Sequence, residues 1–249
     1  MKLEDLIGIL VISTWVGMLA LEALLPRRRF PRVLGWRIFG ALALLAYLVV
    51  STITPLLLPP ELLAYQVLDL SGLGIAGGMV VGFAALTFAG YWYHRACHRF
   101  GGMWRWLHQM HHSAPRLDMG GAMMFHPFEM AAYTLIQVGV LVMLLGIDPV
   151  AAALVGYVSA FYGMFQHLNV RTPRWLGYVI QRPESHGHHH EAGVHARNYG
   201  DLPVWDLLFG TFSNPERFDG EVGFAPGTHR KVGWMLLGRD VSQGDQLAR

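Results

Sequence analysis

The residues best equipped for chemistry in this chain are its histidines. Residues 91–113 read YWYHRACHRFGGMWRWLHQMHHS, in which His94 and His98 form H-x-x-x-H and His108, His111 and His112 form H-x-x-H-H. The second spacing returns near the other end as His186, His189 and His190 within SHGHHH. On an α-helix, residues three and four apart share one face, so each motif is expected to aim its imidazoles at a common point. Neutral imidazole is a good ligand for iron, zinc, copper or nickel. Eight imidazoles exceed what one ion needs, so the spacing predicts two neighbouring metals. Surface decoration or a satisfied core position is the ordinary fate of a single histidine. It does not account for three spaced clusters.

What must position these histidines is a membrane scaffold. Of 249 residues, 53% are hydrophobic and only 14% charged, and the mean hydropathy is +0.34. A soluble domain carries about a quarter charged residues. The net charge of +2, with no basic tract interleaved with aromatics, gives no reason to expect nucleic acid. Cys97 is the only cysteine, so no internal disulfide and no cysteine-based zinc or iron–sulfur site is available. The expected fold is an all-α membrane protein, with about five transmembrane helices in hairpins under a cytoplasmic, histidine-rich helical cap. One domain covers 1–249, with spans near 5–25, 36–58, 72–93, 128–146 and 150–168 and a cap from 94–127 and 169–238. A loosely held tail is expected from Arg239.

Orientation follows from charge. Arg27, Arg28, Arg29, Arg32 and Arg37 follow the first span without an acidic residue, which makes that loop cytoplasmic and puts the N-terminus outside an inner, cytoplasmic membrane. The first span reads as an uncleaved helix, with Glu22 near enough to its end to reach the interface. A formal G-x-G-x-x-G at Gly72–Gly77 opens a membrane span with no strand–helix–strand unit around it, so it is not a dinucleotide site. Gly74, Gly78 and Gly82 instead predict a smooth ridge for close helix packing. The spans were placed without reference to histidine, yet all thirteen histidines fall on the cytoplasmic side or at that interface.

The ordered set HRACH, HQMHHS, FHPFE, QHLNV, HGHHH, NYG and WDLLFGTF, over roughly residues 80–215, resembles the fatty acid hydroxylase / sterol desaturase superfamily of membrane di-iron enzymes. The resemblance implies two iron ions, with zinc as a substitute in a purified sample. It also implies O₂-dependent hydroxylation or desaturation of a lipid such as a sterol or fatty acyl chain, in an apolar tunnel. A separate ferredoxin- or cytochrome-like protein would supply electrons. The metal ligands it implies are His94, His98, His108, His111, His112, His186, His189 and His190, with His167 as a ninth and His126 as a tenth. His126 has an equal alternative as an interfacial residue at a helix start. His188 intrudes in the last motif and leaves its register open, although only His186, His189 and His190 keep the i, i+3, i+4 spacing. His195 and His229 fit no motif and are expected to be structural or solvent-facing.

Metal-bound imidazoles usually donate their other N–H to an acceptor. Candidates for that role are Asp118, Glu129, Asn169, Glu184, Glu191, Asn198, Asp201 and Asp206, each with solvated charge or capping as the ordinary alternative. Trp104, Trp106 and Trp205 line the site or anchor the interface; Arg95, Arg99, Arg105 and Arg116 anchor it or steer an acidic partner. Three rival functions share the composition. In a membrane zinc hydrolase, His190-Glu191-Ala-Gly-Val-His195 would stand in for H-E-x-x-H, but its histidines are five apart and leave a common face. A divalent-metal transporter would need ionisable ligands inside the spans, which hold almost none, and a non-catalytic membrane protein that stores metal is a third reading.

Overall fold

A computed structural model describes residues 3–242. Helix α1 (Leu3–Leu24), α2 (Trp36–Leu56) and α3 (Gly74–Arg99) carry the first three apolar stretches. A helical segment, α4 (101–112), follows and contains a π-helical turn at Trp104–His108. Helix α5 (Pro127–Leu144) starts in α form and loosens into π turns from Val138. Helix α6 (Pro149–Phe165), the short α7 (Pro183–His189) and α8 (Pro203–Phe209) complete the part that builds the site. Among the described residues the only β contact is an isolated antiparallel bridge between Glu191 and Val222.

Four helices, α1, α2, α3 and α5, are long and apolar enough to cross a bilayer. The fifth expected span, α6, is apolar but only 17 residues long, a turn short of the about 20 that crossing takes. It nevertheless packs against α1 and α3, as α2 packs against α5, so all five belong to one bundle of alternating direction. Outward positions such as Ile9, Val16, Ile38, Leu42, Val49 and Val80 are exposed, as lipid-facing residues should be. Helix α3 runs unbroken to Arg99 and is longer than a span, so His94 and His98 sit on its projecting end.

Turn chemistry sets the ends. Asp148 caps α6 by accepting from the Val150 and Ala151 amides, with Pro149 at the first helical position. The 113–125 loop is clasped from above α1 and α2: Trp36 Nε1 donates to Asp118 Oδ1 at 2.7 Å and Trp15 Nε1 to the Met119 carbonyl at 3.2 Å. Glu22, near the end of α1, is buried, and its Oε2 accepts from the Met119 amide at 3.0 Å. The arginine loop joins the same end, where Asn169 bonds both backbone groups of Arg28 and Arg28 reaches the Gly220 carbonyl.

The tail expectation is corrected as far as Ser242. Gln109 grips the Arg239 carbonyl and the Val241 amide, Trp104 Nε1 donates to Ser242 Oγ, and Val241 and Ser242 are buried. Residues 243–249 lie outside the described residues.

Of the three ridge glycines, two hold the bundle together. A Cβ on Gly78 would sit 2.9 Å from the Ala151 Cβ, and one on Gly82 would sit 2.8 Å from Ile147 Cδ1. Gly74 meets nothing and instead takes a positive φ of 63° at the start of α3. Overpacking a close helix contact costs about 1–3 kcal/mol. Gly78→Leu should therefore lower the thermal unfolding midpoint in detergent, whereas Gly90→Leu, where a Cβ meets nothing, should leave it nearly unchanged.

Candidate metal centre

Four segments reach one level at the lower end of the bundle. The end of α3 brings His94 and His98, α4 brings His108, His111 and His112, the residues after α6 bring His167, and α7 with the residue after it brings His186, His189 and His190. Nine imidazoles fall into two groups. His94, His98, His108, His112 and His189 form one; His111, His167, His186 and His190 form the other; within each, the candidate ligand atoms all lie within 4.8 Å of one another. The groups touch, with the His112 and His190 rings stacked at 4.1 Å.

The grouping departs from the expectation of one common point per motif. His108 and His112 stay together while His111 crosses to the other group; His186 and His190 stay together while His189 crosses in the opposite sense. Helical geometry explains this. Position i+4 lies about 40° past position i, whereas i+3 falls about 60° short, so neighbours i+3 and i+4 diverge by about 100°. Each H-x-x-H-H motif therefore divides two and one between the groups.

The nitrogens cannot satisfy one another. His112 Nε2 lies 3.0 Å from His108 Nε2 and 3.1 Å from His189 Nε2. His167 Nε2 is 3.0 Å from both His111 Nε2 and His186 Nε2, which in turn is 3.0 Å from His190 Nε2. A ring nitrogen has one hydrogen or one lone pair, never both, so it cannot donate along such a chain and accept within it. The other ring atoms fix the choice. Nδ1 of His94 donates to the Tyr199 carbonyl at 2.8 Å, that of His189 to the Arg197 carbonyl at 2.7 Å, and that of His167 to the Gly163 carbonyl at 2.6 Å. His108 Nδ1 donates to Glu129 Oε1 at 2.5 Å. With the proton held on Nδ1, each of these four Nε2 atoms presents a lone pair inward. The Nε2 atoms of His94 and His98 are buried without a hydrogen-bond partner. A nitrogen-to-nitrogen spacing near 3 Å is the adjacent edge around an ion bound at about 2.1 Å. The donor sets therefore fit a metal in each group.

His126 belongs to neither group. Its extended backbone at the start of α5 turns the ring back, so that Nδ1 accepts from the Phe128 amide as a helix cap, beside Trp106 and Phe128. His188 also points away, bonding Ser213 Oγ through Nδ1 at 2.9 Å, while His186, His189 and His190 join the two groups. His229 stands edge-on to Trp36. His195 is closer to the chemistry than its isolation in sequence suggested: its Nδ1 meets His112 Nδ1 at 3.0 Å. That contact and the outward turn of Glu191 towards His188 remove the zincin-like pairing of His190 with His195.

Among the proposed carboxylate partners, Glu129 is the one bonded to a grouped histidine. Asp118 serves Trp36, Glu184 serves Thr172 and Arg182, and Asn169 serves the arginine loop. Asp206 and Asn198 act one step back. Asp206 accepts from the Tyr199 and Gly200 amides and Thr211 Oγ1, and Asn198 bonds the Ser185 carbonyl and the Ser213 amide. Together they hold His195, Arg197 and Asn198 at φ of 42°, 68° and 48°, a left-handed run costly for side-chain-bearing residues. That conformation aims the Tyr199 and Arg197 carbonyls at His94 and His189. Trp104 is buried against His98 and His112, whereas Trp205 donates to Thr87.

Two openings meet the centre. A cavity of about 130 Å³ between the helices reaches His94, His108, His111, His167 and His186. A wider recess of about 650 Å³ lies on the other side, bordered by Arg95, His98, Arg99, Trp104 and His195.

Burial, more than mutual repulsion, depresses the histidines: His167 falls from 6.5 to about 4, and His111, His112, His186, His189 and His190 fall well below the ordinary value. The unfolded chain takes up protons near 6.5 while the folded centre refuses them, so stability is lost as pH falls from about 6.5 towards 4. The thermal midpoint of metal-free protein should drop steeply between pH 7.5 and 5, and metal-loaded protein should release its metal over the same range. Glu129→Ala removes the acceptor for His108 and should weaken metal retention by about 10–100-fold in a chelator competition, with Glu129→Gln falling between.

The sequence profile of the family described as fatty acid hydroxylase matches residues 79–211, more than half of the chain. Ornithine lipid hydroxylase OlsE of Rhizobium tropici is 34% identical over 147 residues, which are 56% of this chain and 43% of that protein. The match thus spans less than half of the relative's own length. No solved structure matches the chain. The matched stretch contains every histidine of both groups, and the chain belongs to the fatty acid hydroxylase family.

Proposed function

We propose that this protein is an integral membrane hydroxylase that inserts oxygen from O₂ into a C–H bond of a lipid at a pair of iron ions. The observation that carries the reading is the double set of inward nitrogen lone pairs at the end of a cavity walled by membrane helices. His94, His98, His108, His112 and His189 would hold one ion, and His111, His167, His186 and His190 the other. Iron bound there supplies the O₂ activation that attack on an unactivated C–H bond requires. Zinc would occupy the same nitrogens in protein purified without iron, because affinity favours it.

The protein's own part is geometric. Glu129 and the Tyr199, Arg197 and Gly163 carbonyls hold the Nδ1 protons and so keep four Nε2 atoms free to bind. The cavity brings a lipid to the histidines from within the helices and limits water. Electrons come from a separate ferredoxin- or cytochrome-like carrier. Arg95 and Arg99 border the wide recess beside His98 and would steer an acidic carrier there. The arginine loop lies at the histidine end of the bundle, which supports a centre on the cytoplasmic side of an inner membrane with the N-terminus outside.

Lipids extracted from cells with and without the gene should differ by one oxygen atom in a single lipid class. His111→Ala and His189→Ala each remove the member that crosses between groups. Each should abolish turnover and lower bound metal while membrane insertion persists. Full activity in either variant, or loss of two hydrogens in place of gain of an oxygen, would contradict the assignment.

A further inference from the structure

Helix α8 follows the last histidine motif, yet it packs against the inner part of α3. Trp205 meets the Phe88 ring at 5.0 Å and donates to Thr87 Oγ1, and Phe209 meets the Trp92 ring at 4.8 Å. Helix α3 has 26 residues, about 39 Å of rise against a hydrocarbon layer of about 30 Å, which leaves about 9 Å to project. Phe88 lies about 16 Å from the Arg99 end, still inside that layer. Its own contacts therefore hold α8 at membrane depth. The exposed apolar side chains of α3, Phe88 and Trp92, continue onto α8 as Phe209 and Leu208.

A 3-10 turn at Arg174–Tyr178 lies beside α8, and Tyr178 meets the Phe212 ring just beyond it at 5.6 Å. Together the two segments expose Trp175, Tyr178, Val179, Val204, Leu207 and Leu208. Scattered apolar side chains are normal on a surface, but a contiguous patch marks a protein partner or a membrane. Charge decides between them. In residues 171–179 and 202–210 the charged side chains are Arg171 and Arg174, both exposed, and Asp206, which is buried. Tryptophan and tyrosine with arginine, and no exposed carboxylate, suit the headgroup level of an anionic leaflet.

We propose that this face of the cap is seated in the lipid surface next to the histidine centre: Val179, Leu207 and Leu208 lie among acyl chains, with Arg171 and Arg174 at the level of the lipid phosphates. The protein then holds its leaflet with two segments that do not span it, in addition to the bundle. The buried side of α8 carries Asp206, which accepts from the Tyr199 and Gly200 amides, and the Tyr199 carbonyl accepts from His94 Nδ1. One short helix thus joins the lipid surface to the backbone that orients a grouped histidine. The inference uses the membrane span of α3 and not the hydroxylase reading.

Depth is what the experiment reads. Leu208→Cys and Val179→Cys, both at exposed positions, are labelled with a nitroxide in nanodiscs of phosphatidylcholine and phosphatidylglycerol; the native Cys97 is buried. Val80→Cys, on the lipid-facing side of α3, and Arg217→Cys, at an exposed position of the cap, give the lipid and water ends of the scale. Spin relaxation by O₂, relative to relaxation by a water-soluble nickel chelate, should be severalfold higher at 208 and 179 than at 217, close to the value at 80. A water-like ratio at either position overturns the proposal. So does exclusion of both relaxants, which means that a second copy or another protein covers the face. Leu207→Cys replaces Leu208→Cys should that variant fail to fold. No turnover is measured, so failure of the hydroxylase reading leaves the result standing.

Discussion

Crowded nitrogen lone pairs are the constraint that the rest of the molecule serves. Nine imidazoles, eight of them buried, bring ring nitrogens to about 3 Å of one another, a spacing that hydrogen bonding among them cannot satisfy and a cation can. Protein interactions hold them there against that repulsion. Carbonyls and one carboxylate fix the outer ring atoms, and the helices that deliver the histidines are locked by glycine contacts, caps and a clasped loop. The strained 195–198 run makes sense in the same terms. Its left-handed residues place two carbonyls where two imidazoles need them, and Asp206 with Asn198 keeps it so.

Much of this was legible in the sequence because membranes simplify the code. Apolar stretches gave the helices to within a few residues, and the histidine spacings indicated which residues meet. What the spacings did not reveal is the partition. Treating a helix face as one target hides the divergence between i+3 and i+4, and so hides the crossing of His111 and His189. His126 takes the second of its two readings: a histidine at a helix start spends its ring on capping that helix. His195 was invisible because no helical period links it to the others; a loop of unusual backbone carries it in. Glu129 stood out only as one of several acidic residues near a span, and nothing local separates it from Asp118 or Glu184.

The crossing also changes how the two groups relate. Each H-x-x-H-H motif feeds both, so neither group belongs to a single segment. Moving α7 by a fraction of a turn would displace His189 from one group and His186 with His190 from the other at once. The pair of sites thus forms and comes apart as a unit, and the π-helical turn before His108 belongs to that unit because it sets the phase of α4.

Helix α6 spans 17 residues, a length of about 25 Å against a hydrocarbon layer of about 30 Å. Such a mismatch is relieved by thinning of the surrounding bilayer or by drawing the flanking residues inward. The residues drawn inward here are Gln166 and His167, at the foot of the cavity between the helices. A local dimple in the leaflet would carry lipid headgroups down to meet them, so that a membrane molecule reaches the histidines by sinking where the layer is thinnest, without leaving it.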